Sequence, residues 1–266
     1  MTVFNRRVLR LHRDRAALRP GDGDFLFREV AERLADRLDD VKRRFPVALD
    51  LGCRDGLLGR MLDGRGGIER LVRCDLSPRM AGQAGPLALA ADEEFLPFAE
   101  ASFDLVLGNL TLHWVNDLPG ALVQIRRILK PDGLFLASLL GGETLKELRQ
   151  AFLAAEMAEE GGAGPRVSPF ADLKDAGNLL VRAGFAGAVA DADRLTVSYG
   201  DPFRLMADLR AMGESNAVLE RRIGFTRRAT LAGAAARYAE DFGGADGRLP
   251  ATFEVLFLTG WSPIAP

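Results

Sequence analysis

A chain of 266 residues, 48% hydrophobic and 27% charged, can bury a full core and has an ordinary globular composition. Its formal net charge of −2 excludes nucleic acid as the main partner, because phosphate binding needs a basic surface. Two cysteines make no disulfide framework and no apolar run approaches the roughly 18 residues of a bilayer span. Met1 is not followed by an apolar signal region. The expectation is a cytoplasmic protein with free thiols and at most peripheral membrane association.

Residues 1–19 carry six arginines against one acid, Asp14. This reads as a basic first helix capping the fold, in preference to a targeting peptide or a surface-binding arm. Over residues 24–43, Leu26, Val30, Leu34, Leu38 and Val41 recur every three or four positions, one face of an amphipathic helix. Pro46 then leads into Val47-Ala-Leu-Asp-Leu-Gly-Cys-Arg-Asp-Gly56, a short apolar strand that stops at glycines and turns into a helix at Leu57–Leu62. Such a turn brings bare backbone amides and the positive helix end up to a ligand. Asp75 ends the next apolar run, near the roughly 20-residue offset at which nucleotide-binding folds place a ribose acid.

Ser77-Pro78 marks the start of a short helix. A third strand is expected near Leu87–Ala91, followed by Asp92-Glu-Glu-Phe-Leu-Pro-Phe98. Ser102–Leu107 reads as a fourth strand, Leu118–Leu129 as a helix, Lys130-Pro-Asp-Gly133 as a turn, and Leu134–Leu140 as a fifth strand. Alternating strands and helices imply a doubly wound parallel sheet that binds ligands beyond the carboxyl ends of its strands. Asp50, Gly52, Asp75, Asp92 and Asn109 all fall at that edge. Helices are expected over 144–158, 171–183 and 202–242, the last interrupted at Gly213-Glu-Ser-Asn216, with strands at Leu195–Tyr199 and Ala251–Trp261. The organisation is one domain: a helical cap over 1–45, a ligand-binding core over 46–142, and a helical elaboration with the last strands over 143–266.

The glycine loop, Asp75, the stretch Asp92–Phe98 and Leu129-Lys-Pro-Asp-Gly133 resemble the class I S-adenosylmethionine-dependent methyltransferases. A closer resemblance lies in Leu112-His-Trp-Val-Asn-Asp-Leu-Pro119, Gly141-Gly-Glu-Thr-Leu145, Ser168-Pro-Phe170, Met212-Gly-Glu-Ser-Asn216 and Pro250-Ala-Thr-Phe253. These are similar to the complex I assembly-factor branch, whose mitochondrial member is described as a protein arginine hydroxylase. The resemblance spans nearly the whole chain. It implies a Rossmann-like, mostly parallel seven-stranded α/β sheet with a helical insert before the last strand. It also implies S-adenosyl-L-methionine as cofactor and a respiratory complex I subunit as protein substrate. The malonyl-acyl-carrier-protein methyltransferases of biotin synthesis share the insert, so a true methyltransferase acting on acyl-carrier protein stays open, as does a non-catalytic assembly chaperone.

The resemblance implies a role for each residue of the edge. Gly52 and Gly56 let the backbone approach the methionine portion, and Asp50 supports the loop or the cofactor's ammonium. Asp75, with Leu76 beside it, takes the ribose hydroxyls. Asp92 accepts the adenine amino group, Glu93 contributes backbone, and Phe95 or Leu96 covers the ring. Asn109 and Leu110 line the pocket near the sulfonium.

Arg54 stands where the family's loop usually has glycine; either its bulk crowds the cofactor, or its guanidinium pairs with the cofactor's carboxylate or with Asp55 and binding survives. His113 is either a general base or structural. With only His12 and His113 in the chain, no two-histidine-one-carboxylate triad is legible and no metal is expected. An arginine substrate needs a carboxylate clamp, for which Glu143 and Glu214 are the candidates.

Overall fold

The computed structural model describes residues 2–19 and 23–264. Asn5 caps helix α1 (Arg6–Ala16) by accepting from the Val8 amide. Only three residues of α1 are buried, Leu9, Arg13 and Ala16, and one of those is an arginine. Helix α2 (Phe25–Asp39) is the opposite case. Its predicted stripe is buried along its whole length, Leu26, Val30, Leu34 and Leu38 each at most 2% exposed. Each such side chain contributes about 1.5–3 kcal/mol relative to exposure.

The core then alternates as expected: β1 (Val47–Leu51), α3 (Leu57–Leu62), β2 (Arg70–Asp75), α4 (Pro78–Gln83), β3 (Ala88–Ala90), β4 (Phe103–Gly108), α5 (Leu118–Ile128) and β5 (Leu129–Leu140). After it come α6 (Lys146–Glu160), α7 (Leu173–Arg182), β6 (Ala186–Tyr199), α8 (Pro202–Ala211), α9 (Arg228–Phe242) and β7 (Leu249–Trp261). The seven strands lie in the order β3-β2-β1-β4-β5-β7-β6. The first five are parallel, and β7 runs antiparallel between β5 and β6. The order reverses between β1 and β4, and a ligand crevice opens at such a switch point.

Three sequence expectations need correction. The strand predicted at Leu195–Tyr199 begins at Ala186, because its first half pairs with β7 in a ladder whose outer positions alternate exposed and half-buried. The predicted turn at Lys130–Gly133 is a bulge inside β5, with Asp132 at φ 61° and the register with β4 shifting between Phe103 and Leu105. The interruption expected at Gly213–Asn216 within 202–242 is longer than four residues: between α8 and α9 the chain from 212 to 227 is irregular. Gly213 at φ 73° ends α8, and the following backbone is held by tertiary contacts in place of a helical ladder. Phe4 forms a β-bridge with Val218, and the Leu219 amide donates to the carbonyl of Val3. The helical elaboration packs α9 on α6, where Gly233 approaches Ala155 closely.

Cys53 and Cys74 are both free and buried. Burial, followed by the nearby acids, pushes the Cys53 thiol up, and burial does the same to Cys74. Among the described residues no helix is long and apolar enough to cross a membrane.

Candidate functional site

The glycine loop leaves β1 at Gly52, whose φ of 68° and contact with Thr111 both require glycine: a Cβ there would lie 2.1 Å from Thr111 Oγ1. Asp50, one turn of the pleat earlier, is fully buried, and neither carboxylate oxygen has a hydrogen-bond partner. Burial, reinforced by Asp75 and Asp55 and only partly offset by Arg73, raises its pKa to about 7. A small space of about 40 Å³ adjoins the loop, lined by Asp50, Gly52, Cys53, Arg54, Asn109 and Phe27 among others. An orphaned carboxylate beside bare backbone suits a cationic ammonium, so the loop end fits the methionine half of S-adenosylmethionine.

The acids assigned to the nucleoside half are engaged by the chain itself. Arg13 reaches down from α1, 1% exposed, with Nη1 3.3 Å from Asp75 Oδ2 and 2.8 Å from Glu93 Oε1. Its Nη2 donates to Thr111 Oγ1 at 3.2 Å. Two turns earlier on the same face, Arg6 bonds Asp92 Oδ1 at 2.5 Å and pairs with Glu93. Burial alone would raise the Glu93 pKa; Arg13 and Arg6 instead bring it to about 2. The nucleoside half of the cofactor therefore fits these acids only if α1 withdraws. That engagement was not legible from the arginine count alone, although the seven-residue spacing of Arg6 and Arg13 put both on one helix face.

The remaining predicted residues fall as follows. The Asp75 carboxylate also accepts from the amides of Arg54 and Ser77, which fixes the loop against β2. Leu76 packs at the edge of a cluster of Phe4, Leu9, Trp114 and Val218. Phe95 is 75% exposed, and Leu96 beside it is buried. Gly56, at φ 83°, begins α3. Asn109 donates from Nδ2 to the Phe27 carbonyl, and Leu110 takes the left-handed region at φ 50°. Glu143 lies apart from the glycine loop, half-exposed and paired with Lys146.

Arg54 adopts φ 52° and turns away from Asp55, which pairs with Arg60 instead. Its guanidinium stacks 3.8 Å from the ring centroid of Phe27, donates from Nη2 to the Met212 carbonyl, and lies 3.5 Å from Glu214 Oε1. Phe27 and the insert thus supply the contacts expected from Asp55, because the left-handed backbone aims the side chain away from α3.

Glu214 is the hub of a second cluster. Its Oε2 accepts from Trp114 Nε1 at 2.6 Å and lies 3.0 Å from His113 Nε2, whose other nitrogen faces the Leu140 amide at 3.5 Å. Both His113 nitrogens are engaged, so the ring positions Glu214. Glu214 Oε1 has no hydrogen bond. Burial raises the Glu214 pKa, but the His113 bond and the charges of Arg54 and Arg13 more than offset it and hold the carboxylate low. Glu214 also lines a cavity of about 510 Å³ between α6, α8 and the irregular insert, walled by Phe152, Phe170, Met206, Leu148 and Phe253. That volume is within the range of small-ligand sites. Among the described residues no group of three or more His, Cys, Asp or Glu side chains forms a metal cage.

A family model described as a methyltransferase domain matches residues 49–137. The mitochondrial arginine-hydroxylase NDUFAF5 of Danio rerio is 44% identical over 99% of this chain and 84% of that protein. The Homo sapiens protein of the same name is 42% identical over 98% of this chain and 77% of its own length. The chain belongs to the class I methyltransferase family, in the branch of these arginine hydroxylases.

The malonyl-[acyl-carrier protein] O-methyltransferase of Methylovorus is 39% identical over 95% of the chain and 87% of that enzyme. Among solved structures, the YcgJ protein of Bacillus superposes with a TM-score of 0.61 at 15% identity, covering 88% of this chain and 99% of that one. A Haemonchus contortus phosphoethanolamine N-methyltransferase in complex with S-adenosyl-L-methionine gives 0.54 at 17% identity over 88% of this chain and 52% of its own. Both neighbours share the fold, and the Haemonchus structure holds S-adenosyl-L-methionine.

Proposed function

We propose that this protein binds S-adenosylmethionine at the carboxyl edge of its sheet and modifies an arginine of a protein substrate, a respiratory complex I subunit, in a reducing cytoplasm. The observation that carries the reading is Glu214: a buried carboxylate on the wall between the cofactor loop and the large cavity, whose Oε1 makes no hydrogen bond and faces only Arg54 Nη1 at 3.5 Å. A substrate guanidinium that displaced Arg54 from that carboxylate would gain a charge-assisted bond, which contributes about 1.5–3 kcal/mol. His113 and Trp114 hold the carboxylate in place from behind. The NDUFAF5 relatives, named for arginine hydroxylation, support the substrate class.

When bound, the cofactor supplies an activated methyl sulfonium. Asp50 would hold its ammonium, and Gly52 would present backbone to it. Asp75 would take the ribose hydroxyls, and Asp92 with Glu93 the adenine, once Arg6 and Arg13 release them. The apolar walls Phe152, Phe170 and Phe253 keep water from the reacting centre and fix the substrate's orientation. Good alignment can supply about 7–11 kcal/mol of a barrier.

Mass spectrometry of complex I subunits from cells with and without the protein tests the reaction. A gain of one oxygen on an arginine marks hydroxylation; a gain of a methylene marks methyl transfer. Glu214→Gln should abolish the modification, and unchanged modification in both Glu214→Gln and Glu143→Gln would end the clamp assignment. The second reading, carboxyl methylation of an acyl-carrier-bound substrate, is favoured by the apolar cavity walls and the Methylovorus relative. Assembly that proceeds normally with Asp75→Ala, in place of either reaction, supports a chaperone that needs no cofactor.

A further inference from the structure

The insert between α8 and α9 presents Arg221-Arg-Ile-Gly-Phe-Thr-Arg-Arg228, four arginines and no acid in eight residues of a chain whose net charge is −2. At its tip Phe225 is 100% exposed and Ile223 87% exposed, the most exposed large apolar side chains among the described residues. Single exposed apolar residues are ordinary on protein surfaces, but a pair separated by one glycine and flanked by arginines on both sides is not. The tip is presented by a braced base. Arg222 pairs with Glu160, Thr226 Oγ1 accepts from Arg166 Nη1 at 2.8 Å, and Arg221 Nη1 donates to the Val218 carbonyl at 2.9 Å. Arg227 and Arg228 start α9, are exposed, and make no ion pair closer than 4.0 Å among the described residues.

We propose that this segment docks the protein on an anionic lipid bilayer, with Ile223 and Phe225 entering the interface and Arg221, Arg227 and Arg228 facing the headgroups. Apolar tips with arginine flanks match the two layers of a bilayer surface, hydrocarbon beneath and negative charge above. A nucleic acid would leave Ile223 and Phe225 in water, and an acidic protein surface would need an apolar pocket ringed by acids to receive both. The placement has a consequence for the large cavity. Arg221, Arg222, Phe225 and Thr226 line it, so on a docked molecule its mouth opens at the bilayer surface, where a membrane-associated substrate is presented. The inference stands whichever reaction the cavity serves.

The test is co-sedimentation of the full chain with phosphatidylcholine vesicles, pure or with one third phosphatidylglycerol. Wild type should sediment with the anionic vesicles only, and less as salt is raised. One arginine at such a surface is worth roughly a fivefold change in partition, so Arg227→Gln/Arg228→Gln should lose on the order of 25-fold. Ile223→Ser/Phe225→Ser should lose at least as much while keeping the wild-type melting temperature, since neither side chain is packed. Wild type that stays in the supernatant with both vesicles overturns the proposal, and so do serine variants that sediment like wild type. A tip that instead changes the chain's self-association, read by light scattering without vesicle binding, makes it a protein contact and equally overturns the proposal.

Discussion

The guanidinium of Arg13 rests on the carboxylate of Asp75, Nη1 3.3 Å from Oδ2, with both side chains out of reach of solvent. The first helix therefore occupies, with its own cation, the acid proposed to take the cofactor's ribose. Removing the cation leaves Asp75 buried without its counter-ion and Glu93 with Arg6 alone, so Arg13→Ala should cost about 3–5 kcal/mol of stability. The same variant should gain more stabilisation from S-adenosylmethionine than wild type does, because the ligand no longer displaces Arg13. Thermal melts with and without the cofactor check both effects. Equal ligand-induced shifts in the two proteins would show that arginine and nucleoside do not compete.

Asp50 should make stability fall as pH rises. Its folded-state pKa is about 7 against the ordinary 3.8, so between those values the folded protein holds a proton that the unfolded chain has released. Stability is unaffected below about pH 4, declines through the window, and carries the full cost above pH 7. At 1.36 kcal/mol per pH unit that cost is roughly 4 kcal/mol. Asp50→Asn keeps the shape without the charge, so it should exceed wild type in urea midpoint at pH 8 and match it near pH 4. A constant difference between the two proteins across that range would assign the titration elsewhere.

Arg54 joins the glycine loop to the insert. Arg54→Gly relieves a left-handed non-glycine residue, worth about 1–2 kcal/mol. It also forfeits the stack on Phe27, the bond to Met212 and the charge beside Glu214. Hydrogen exchange at residues 212–219 should therefore quicken in the glycine variant. Arg54→Lys should exchange at an intermediate rate, since it keeps the charge but not the planar fork. Calorimetry gives a second readout: wild type that fails to bind S-adenosylmethionine, with binding restored by Arg54→Gly, would show that Arg54 blocks the cofactor.

Gly52→Ala should be among the costlier single substitutions in the core, because the new Cβ meets Thr111 Oγ1 at 2.1 Å and the backbone is left-handed. Pairing it with Thr111→Gly removes the overlap but not the backbone strain. The double variant should recover only part of the loss, leaving at least the roughly 1 kcal/mol of the left-handed conformation. Chemical denaturation of the three variants against wild type measures the difference. A fully restored double variant would mean that the contact alone imposes glycine.

Much of the sheet was readable because its determinants are local. Val47–Leu51 is a continuous apolar run ending at glycine, and Leu26 to Leu38 keeps one helical face. Asp50, Gly52, Asp75 and Asn109 could be placed at one edge from strand ends alone. The site's charge pairing was not readable, because it joins residues far apart in the chain: Arg13 with Asp75, Arg54 with Glu214. Gly213–Asn216 marked the interruption within 202–242 but not its extent to 227, because that backbone is fixed by Val3 and Phe4 at the other end of the sequence. Propensity has no access to such a contact. The first half of β6 was missed for a related reason, as its alternation is weak and its partner β7 comes about 60 residues later.

The two thiols, Cys53 and Cys74, are enclosed and held protonated by burial among acids. Thiolate is the reactive form, so neither should take up a maleimide while the protein is folded. The native chain is thus a silent background for labelling. A cysteine introduced in place of an exposed residue such as Phe225 would be its lone addressable handle, and a probe attached there would report its surroundings without mutating any other position.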